Sequence, residues 1–315
     1  MTHLLLAGGS GFIGSHLADR LLRRTDFETL TVVDNLWTGR AENLRHVTDP
    51  RLRFVQADAE QFRSDIRFDE IYNLASPASP PWYMAEPRRT ISANVAGSLN
   101  LLTLLKEGGQ FAYTSTSEVY GDPLVSPQPE SYRGSVDCTG PRSSYDESKR
   151  CVESLLFEAR RTAGVRVKVV RLFNVFGPRT RPDDGRAVSN FITQVLRGMP
   201  ITIFGDGLQS RSWGYVDDIV DALERFFWLD GTDFPGPLNV GNDREIPVIE
   251  VARFIQRLFP QVPIVHLPPT PQDPTNRRPD LTIMNQVLPG WECKVSYEDG
   301  VRRTIDWFRA ELGLA

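Results

Sequence analysis

The chain has 315 residues, 40% hydrophobic and 24% charged, a composition that gives a globular protein ample core for one or two domains. With 40 acidic against 36 basic side chains the net charge is −4, which excludes the basic footprint of a nucleic-acid binder and requires any anionic ligand to be met by locally placed cations. No apolar run approaches the ~20 residues that span a bilayer, so no membrane partner is expected. The amino-terminal MTHLLLAGGSGFIGSHL lacks a basic leader and a small-residue cleavage pattern and reads as a first strand. Three scattered cysteines, Cys138, Cys151 and Cys293, fit neither a disulfide framework nor a zinc site, and reduced thiols in a cytoplasm are expected. His3, His16, His46 and His266 show no ligand spacing, so no catalytic metal is expected.

In chain order, short β-rich runs alternate with amphipathic stretches of helical length. They are HLLLA, a helix near Ile13 to Arg24, TLTVVD, LRFVQAD, DEIYNLA, a helix near Pro87 to Lys106, a strand over Gln110 to Tyr113, a helix near Tyr145 to Ala163, and RVKVVRLFNV. That order predicts an α/β fold, a doubly wound parallel sheet of the Rossmann type with helices on both faces. After Phe176 the loop-like GPRTRPDDGRAV precedes a helix near Val188 to Arg197 and a smaller mixed region. VDDIVDALERFFWL and GPLNVGN read as one more helix and strand returning to the large sheet. The expected division is therefore interleaved: residues 1–175 and 213–243 form the dinucleotide-binding domain, and 176–212 with 244–315 the smaller substrate domain.

Two motifs carry chemistry. In GGSGFIGS, Gly8, Gly11 and Gly14 stand between the first strand and the first helix, where glycine lets the backbone approach a pyrophosphate seated on the helix's amino-terminal amides. The second strand ends in Asp34, placed to accept both hydroxyls of an adenosine ribose and to repel a 2′-phosphate, so NAD is expected rather than NADP. Asp58, ending the third strand, is placed to reach the adenine. The second motif, YDESK, puts Tyr145 and Lys149 one helical turn apart on one face. A tyrosine near pKa ~10 is a poor base at neutral pH, but a neighbouring ammonium favours its phenolate. Beside them TSTSEVYG offers Thr116, Ser117 and Glu118 at the carboxyl end of a strand.

Glycine turn, strand-end hydroxyls and Tyr–Lys pair, in this order, resemble the extended short-chain dehydrogenase/reductase family. Within it, LASPASPPWYM, TSTSEVYGDP, GPRSSYDESKR, LFNVFGPR, DDGRAVSNFI and NRRPD are similar to the branch that decarboxylates UDP-glucuronate to UDP-xylose through a 4-keto sugar. The resemblance implies a UDP-sugar substrate, NAD regenerated in each turnover and a homodimer built on the helices near Pro87 to Lys106 and Tyr145 to Ala163. It assigns the hydroxyl at the sugar's 4-OH to Thr116, the base to Tyr145, ribose binding to Lys149, and catalytic parts to Ser117, Glu118 and Arg277. The Arg277–Arg278 doublet offers two candidates for the arginine that faces the sugar. Asn174, Ser189, Asn190 and Arg211 fall where the nucleotide is held. Phe12, Ile13, Asn35, Gly39, Leu74 and Ala75 fall along the cofactor. Trp82, Ser143, Ser144, Ser148 and the run QSRSWGYV depart from the pattern.

Glu118 separates the relatives. Similar 4-epimerases carry a small hydroxyl residue there, leaving room for the keto sugar to rotate, and 4,6-dehydratases use an adjacent Asp–Glu pair where this chain has Ser117–Glu118. A decarboxylase needs one carboxyl group, an arginine and hydroxyls to hold carboxylate and ketone and deliver a proton. A 4-epimerase or 4,6-dehydratase, and a non-catalytic NAD-binding sensor, remain the alternatives.

Overall fold

The computed structural model describes residues 2–229, 233–269 and 273–314. Seven parallel strands form the main sheet: β1 (His3–Ala7), β2 (Thr29–Asp34), β3 (Leu52–Gln56), β4 (Phe68–Asn73), β5 (Leu105–Thr116), β6 (Arg166–Leu172) and, returning from later in the chain, Leu238–Val240. Their spatial order is β3-β2-β1-β4-β5-β6 followed by Leu238–Val240, so the connections reverse direction between β1 and β4, where such sheets bind ligands. Strand periodicity builds two cores: in β1, Leu4 and Leu6 face one layer while Leu5 and Ala7 face the other.

Helices cover both faces. On one, α1 (Phe12–Leu21) packs with the returning helix Val216–Phe227. On the other, α2 (Pro80–Ala85) and α3 (Pro87–Thr103) pack with α4 (Ser143–Ala163). Proline at the first turn opens α2 and α3, and Gly164, left-handed at φ 64°, ends α4. The returning helix is α6, and the remaining elements form a smaller lobe: α5 (Ala187–Leu196), α7 (Val248–Leu258), α8 (Thr282–Val287), α9 (Tyr297–Glu311), and three two-stranded sheets.

The doubly wound sheet agrees with the sequence reading, and α6 and Leu238–Val240 do return to it. One element differs appreciably. The strand expected over Gln110 to Tyr113 extends from Leu105 to Thr116, because its neighbours satisfy the backbone on both edges, Phe68 opposite Leu105 and Leu172 opposite Thr116. Gly108–Gly109 lies in the strand at a register irregularity, with Gly108 at φ 70°.

Candidate active site

The carboxyl ends of β1, β4, β5 and β6 open onto a cavity of about 590 Å³, which continues past Gly8, Gly11 and Leu74 into a smaller pocket at the end of β2. Gly8 has φ 78°, and a Cβ there would stand 2.7 Å from the Ala75 amide nitrogen, so only glycine lets the turn lie against the chain after β4. A Cβ at Gly14 would fall 2.1 Å from the Gly8 carbonyl oxygen, closing the space in which α1 begins. Phe12, Ile13 and Gly14 line the large cavity; Asp34, Asn35, Gly39, Asp58 and Ala75 line the small one.

Asp34 is buried and accepts from the backbone amides of Ser10 and Leu36, both at 2.9 Å. Burial pushes its carboxyl pKa up, with those amides opposing. Each carboxylate oxygen keeps acceptor capacity for a ribose hydroxyl. Gly39 leaves the room, since a Cβ there would stand 2.6 Å from an Asp34 carboxylate oxygen. Asn35 donates to Asp58 at 2.5 Å, tying the two strand ends together. A glycine cradle under a helix start, a buried acceptor at one end and a buried lysine at the other fit an NAD-sized dinucleotide.

At the far end Lys149 is 2% exposed and donates to the Thr114 carbonyl at 2.8 Å, with its ammonium 5.8 Å from the centre of the Tyr145 ring. Burial lowers its pKa to about 7, opposed by Glu153. The Tyr145 hydroxyl faces the Thr116 side chain, whose influence lowers its pKa while burial raises it by more. Thr116 also accepts from the Glu118 amide at 3.2 Å, which fixes the short 3₁₀ turn carrying Ser117 and Glu118. Thr116, Ser117, Glu118, Tyr145 and Lys149 thus meet on one cavity wall.

Glu118 sits in a cluster of cations. Arg142 donates to it at 2.6 Å and Arg277 at 3.3 Å, while Arg211 donates to Asp273 at 2.9 Å. Burial pushes the Glu118 carboxyl up, but Arg277 and Arg142 outweigh it and bring it down to about 2. Asp146, next to the base, goes the other way: burial and the Glu118 charge raise it to about 8. Asn174, Ser189, Asn190 and Arg211 line the cavity, the serine and asparagine in the first turn of α5.

Of the doublet, Arg277 reaches Glu118 and is 1% exposed, whereas the Arg278 amide donates to Gln128. Among the described residues, Arg277 is the one sequence-identified site residue that does not line either of these two pockets. Residues that sequence reading did not assign also gather here: Arg142, Asp273, Asp146, and Tyr83, whose ring stacks on Tyr145. The only signal for Arg142 was its place three residues before Tyr145 within GPRSSYDESKR.

Comparison with known proteins agrees with this geometry. Residues 4–241 match the model of the NAD dependent epimerase/dehydratase family. The chain is 45% identical over 99% of its length, and 90% of the relative's, to UDP-glucuronic acid decarboxylase 5 of Arabidopsis thaliana. Among solved structures it is similar to the UDP-glucose 4-epimerase of Thermotoga maritima with UDP-glucose, at TM-score 0.86 and 31% identity over 99% of this chain and 100% of that one. It is also similar to a dTDP-glucose 4,6-dehydratase from Streptomyces venezuelae with NAD bound, at TM-score 0.88 and 26% identity over 99% and 98%. With its glycine cradle, strand-end aspartate and Tyr–Lys pair matched over most of its length, the chain belongs to the NAD dependent epimerase/dehydratase family.

Proposed function

We propose that the protein decarboxylates UDP-glucuronate to UDP-xylose. The observation that carries this reading is the Glu118 carboxylate, held between the guanidiniums of Arg142 and Arg277 beside the Tyr145–Lys149–Thr116 centre. The likeness to the plant decarboxylases over nearly the whole chain supports it.

Residues 1–175 and 213–243 hold the cofactor in this reading, and 176–212 with 244–315 complete the sugar-nucleotide site. Asp34 takes the adenosine ribose, with Asp58 near the adenine, and Lys149 the nicotinamide ribose. Bound NAD supplies the oxidant for the sugar's C4 and the reductant that closes the turnover. Tyr145, steered by Thr116, removes the proton of the 4-hydroxyl and later returns it. With a ketone at C4 the sugar is a β-keto acid. The C5–C6 bond breaks, its electron pair delocalises into the C4 carbonyl, carbon dioxide leaves, and C5 takes a proton. Ser117 and Thr116 direct hydroxyls at the ketone, Glu118 manages the C5 proton, and Arg277 steadies Glu118 from behind. Arg211, Asn174 and the amino-terminal turn of α5 at Ser189–Asn190 hold the UDP.

A homodimer through α3 and α4 is supported by Ile91 and Leu99, 46% and 48% exposed on α3. Three free cysteines support a reducing, cytoplasmic setting. The deciding experiment incubates the protein with UDP-glucuronate and NAD and follows carbon dioxide and the nucleotide sugar by NMR. UDP-xylose with equimolar carbon dioxide is expected. UDP-galacturonate without carbon dioxide would replace decarboxylation by epimerisation.

A further inference from the structure

The cluster around Glu118 holds more positive charge than it balances. Arg142, Arg211 and Arg277 face Glu118 and Asp273, and Asp146, its carboxyl raised by burial and by Glu118, adds little negative charge at neutral pH. The three cations do not stand alike. Arg277 is enclosed and off the cavity wall, and Arg211 is engaged with Asp273 and its own chain, donating to the Ser210 carbonyl at 2.8 Å. Arg142 lines the cavity, and its side chain is 12% exposed.

Its hydrogen bonding is incomplete. The Nη2 group donates to Glu118 at 2.6 Å, but Nε, the other prong of the same edge, is buried without a partner among the described residues. The remaining Nη1 stands 3.8 Å from Asp273, beyond hydrogen-bond reach. A guanidinium edge of this kind is shaped to take both oxygens of one carboxylate, and Glu118 uses half of it. A buried donor without a partner costs free energy, which a bidentate anion would recover.

We infer that Arg142 is the receptor for the substrate's own carboxylate: the sugar acid takes the Nε–Nη2 edge and displaces Glu118, which stays against Arg277. This rests on the proposed decarboxylation and adds to it the residue that selects a uronic acid over a neutral sugar. It also couples selection to chemistry. Arg142 directly precedes α4 and Tyr145 lies in its first turn, so a carboxylate drawn to Arg142 is brought beside the base. Glu118, relieved of one of its guanidiniums, becomes easier to protonate when a proton is needed at C5.

The test measures binding of UDP-glucuronate and of UDP-glucose, which differs by lacking the carboxylate, by calorimetry to the NAD-loaded Tyr145→Phe protein, in which turnover is blocked, and to the same protein carrying Arg142→Gln or Arg142→Lys. Arg142→Gln should lose about 10- to 100-fold in affinity for UDP-glucuronate, the effect of one charge-assisted pair, while UDP-glucose binding stays within about threefold. Arg142→Lys, charged but without the fork, should recover part of the loss. UDP-glucose binding doubles as the control for folding. Equal losses for both ligands, or undiminished preference for UDP-glucuronate, would overturn the inference. Should the Gln variant bind neither, the Lys variant decides: a loss confined to UDP-glucuronate supports the assignment, and an equal loss rejects it. Wild type that binds UDP-glucuronate selectively but releases no carbon dioxide would instead count against the proposed function.

Discussion

Tyr83 and Tyr145 stack nearly parallel, with ring centroids 4.9 Å apart and planes 8° from each other. In the proposed reaction Tyr145 presents its hydroxyl to the sugar beside Thr116, and Tyr83, on the short helix α2, limits the rotation of its ring. The Tyr83 hydroxyl is buried without a partner among the described residues, so the ring face and not the phenol makes the contact. Tyr83→Phe should therefore keep turnover close to wild type. Tyr83→Leu, which fills the volume without the stack, should lower kcat by about 10- to 100-fold through misplacement of the base, with KM little changed. A Phe variant as poor as the Leu variant would give the role to the hydroxyl instead.

Tyr145→Phe removes the phenol that faces Thr116 while leaving the stacked ring in place. UDP-xylose formation should fall by ~100-fold or more. Lys149→Met should fall as far and also weaken NAD binding in a calorimeter, because the proposed site gives Lys149 the further task of holding ribose. Turnover of the Phe variant within a few-fold of wild type would make Tyr145 an ordinary helix residue.

In the proposed site the Asp34 carboxylate sets cofactor choice. A 2′-phosphate brought to hydrogen-bond distance of it would meet like charge in a buried pocket, so NAD should bind well ahead of NADP. Asp34→Asn keeps an acceptor for one backbone amide and removes the charge. It should narrow the NAD-to-NADP affinity ratio by about tenfold, the worth of about 1.4 kcal/mol. An unchanged ratio would place the discrimination elsewhere.

These residues were legible in the sequence for a physical reason. The glycine turn, Asp34 and the Tyr145–Lys149 pair are set by strand and helix periodicity within a few tens of residues, and local spacing determines their geometry. Arg142, Tyr83 and Asp273 come together only in the folded chain, from the end of a loop, a one-and-a-half-turn helix and a late segment of the chain. A lone arginine or aspartate has solvent as its default setting, so nothing local marks it as buried. The short paired strands of the smaller lobe, two to four residues long, likewise carry too few side chains to show alternation. That Arg277, of the doublet, is the one that meets Glu118 depends on packing, which sequence does not contain.

Asp146 gives the protein a pH dependence of its own. Its carboxyl is raised from an ordinary 3.8 to about 8 by burial and by Glu118, so between those values the folded chain holds a proton that the unfolded chain releases. That contribution to stability is complete below pH ~4 and is lost as pH rises through ~8. Asp146→Asn mimics the protonated form at every pH. The difference in Tm between variant and wild type should therefore be small in acid and grow in the variant's favour up to about pH 8, then level off. A difference that stays flat from pH 5 to pH 9 would show Asp146 ionised throughout.

Glu118→Gln separates the steps of the reaction. The amide keeps the shape of the side chain and can still accept from Arg277, but it cannot carry a proton to C5. Tyr145, Thr116 and Lys149 are untouched, so oxidation at C4 should proceed and UDP-xylose formation should fall by ~100-fold or more, leaving a 4-keto sugar nucleotide detectable by mass spectrometry after rapid quench. The change also frees Arg142 from its anionic partner. If Arg142 receives the substrate's carboxylate, UDP-glucuronate should bind the Gln variant at least as tightly as wild type, because the sugar no longer has to displace a charge. Stability should fall at the same time, since Arg277 is left buried without its counter-charge, and the thermal transition will report that separately from affinity. Wild-type rates of UDP-xylose formation in this variant would remove Glu118 from the chemistry and leave it as the anchor of the turn after β5. Loss of UDP-glucuronate binding together with turnover would mean that Glu118, and not the guanidinium it now occupies, orders the sugar.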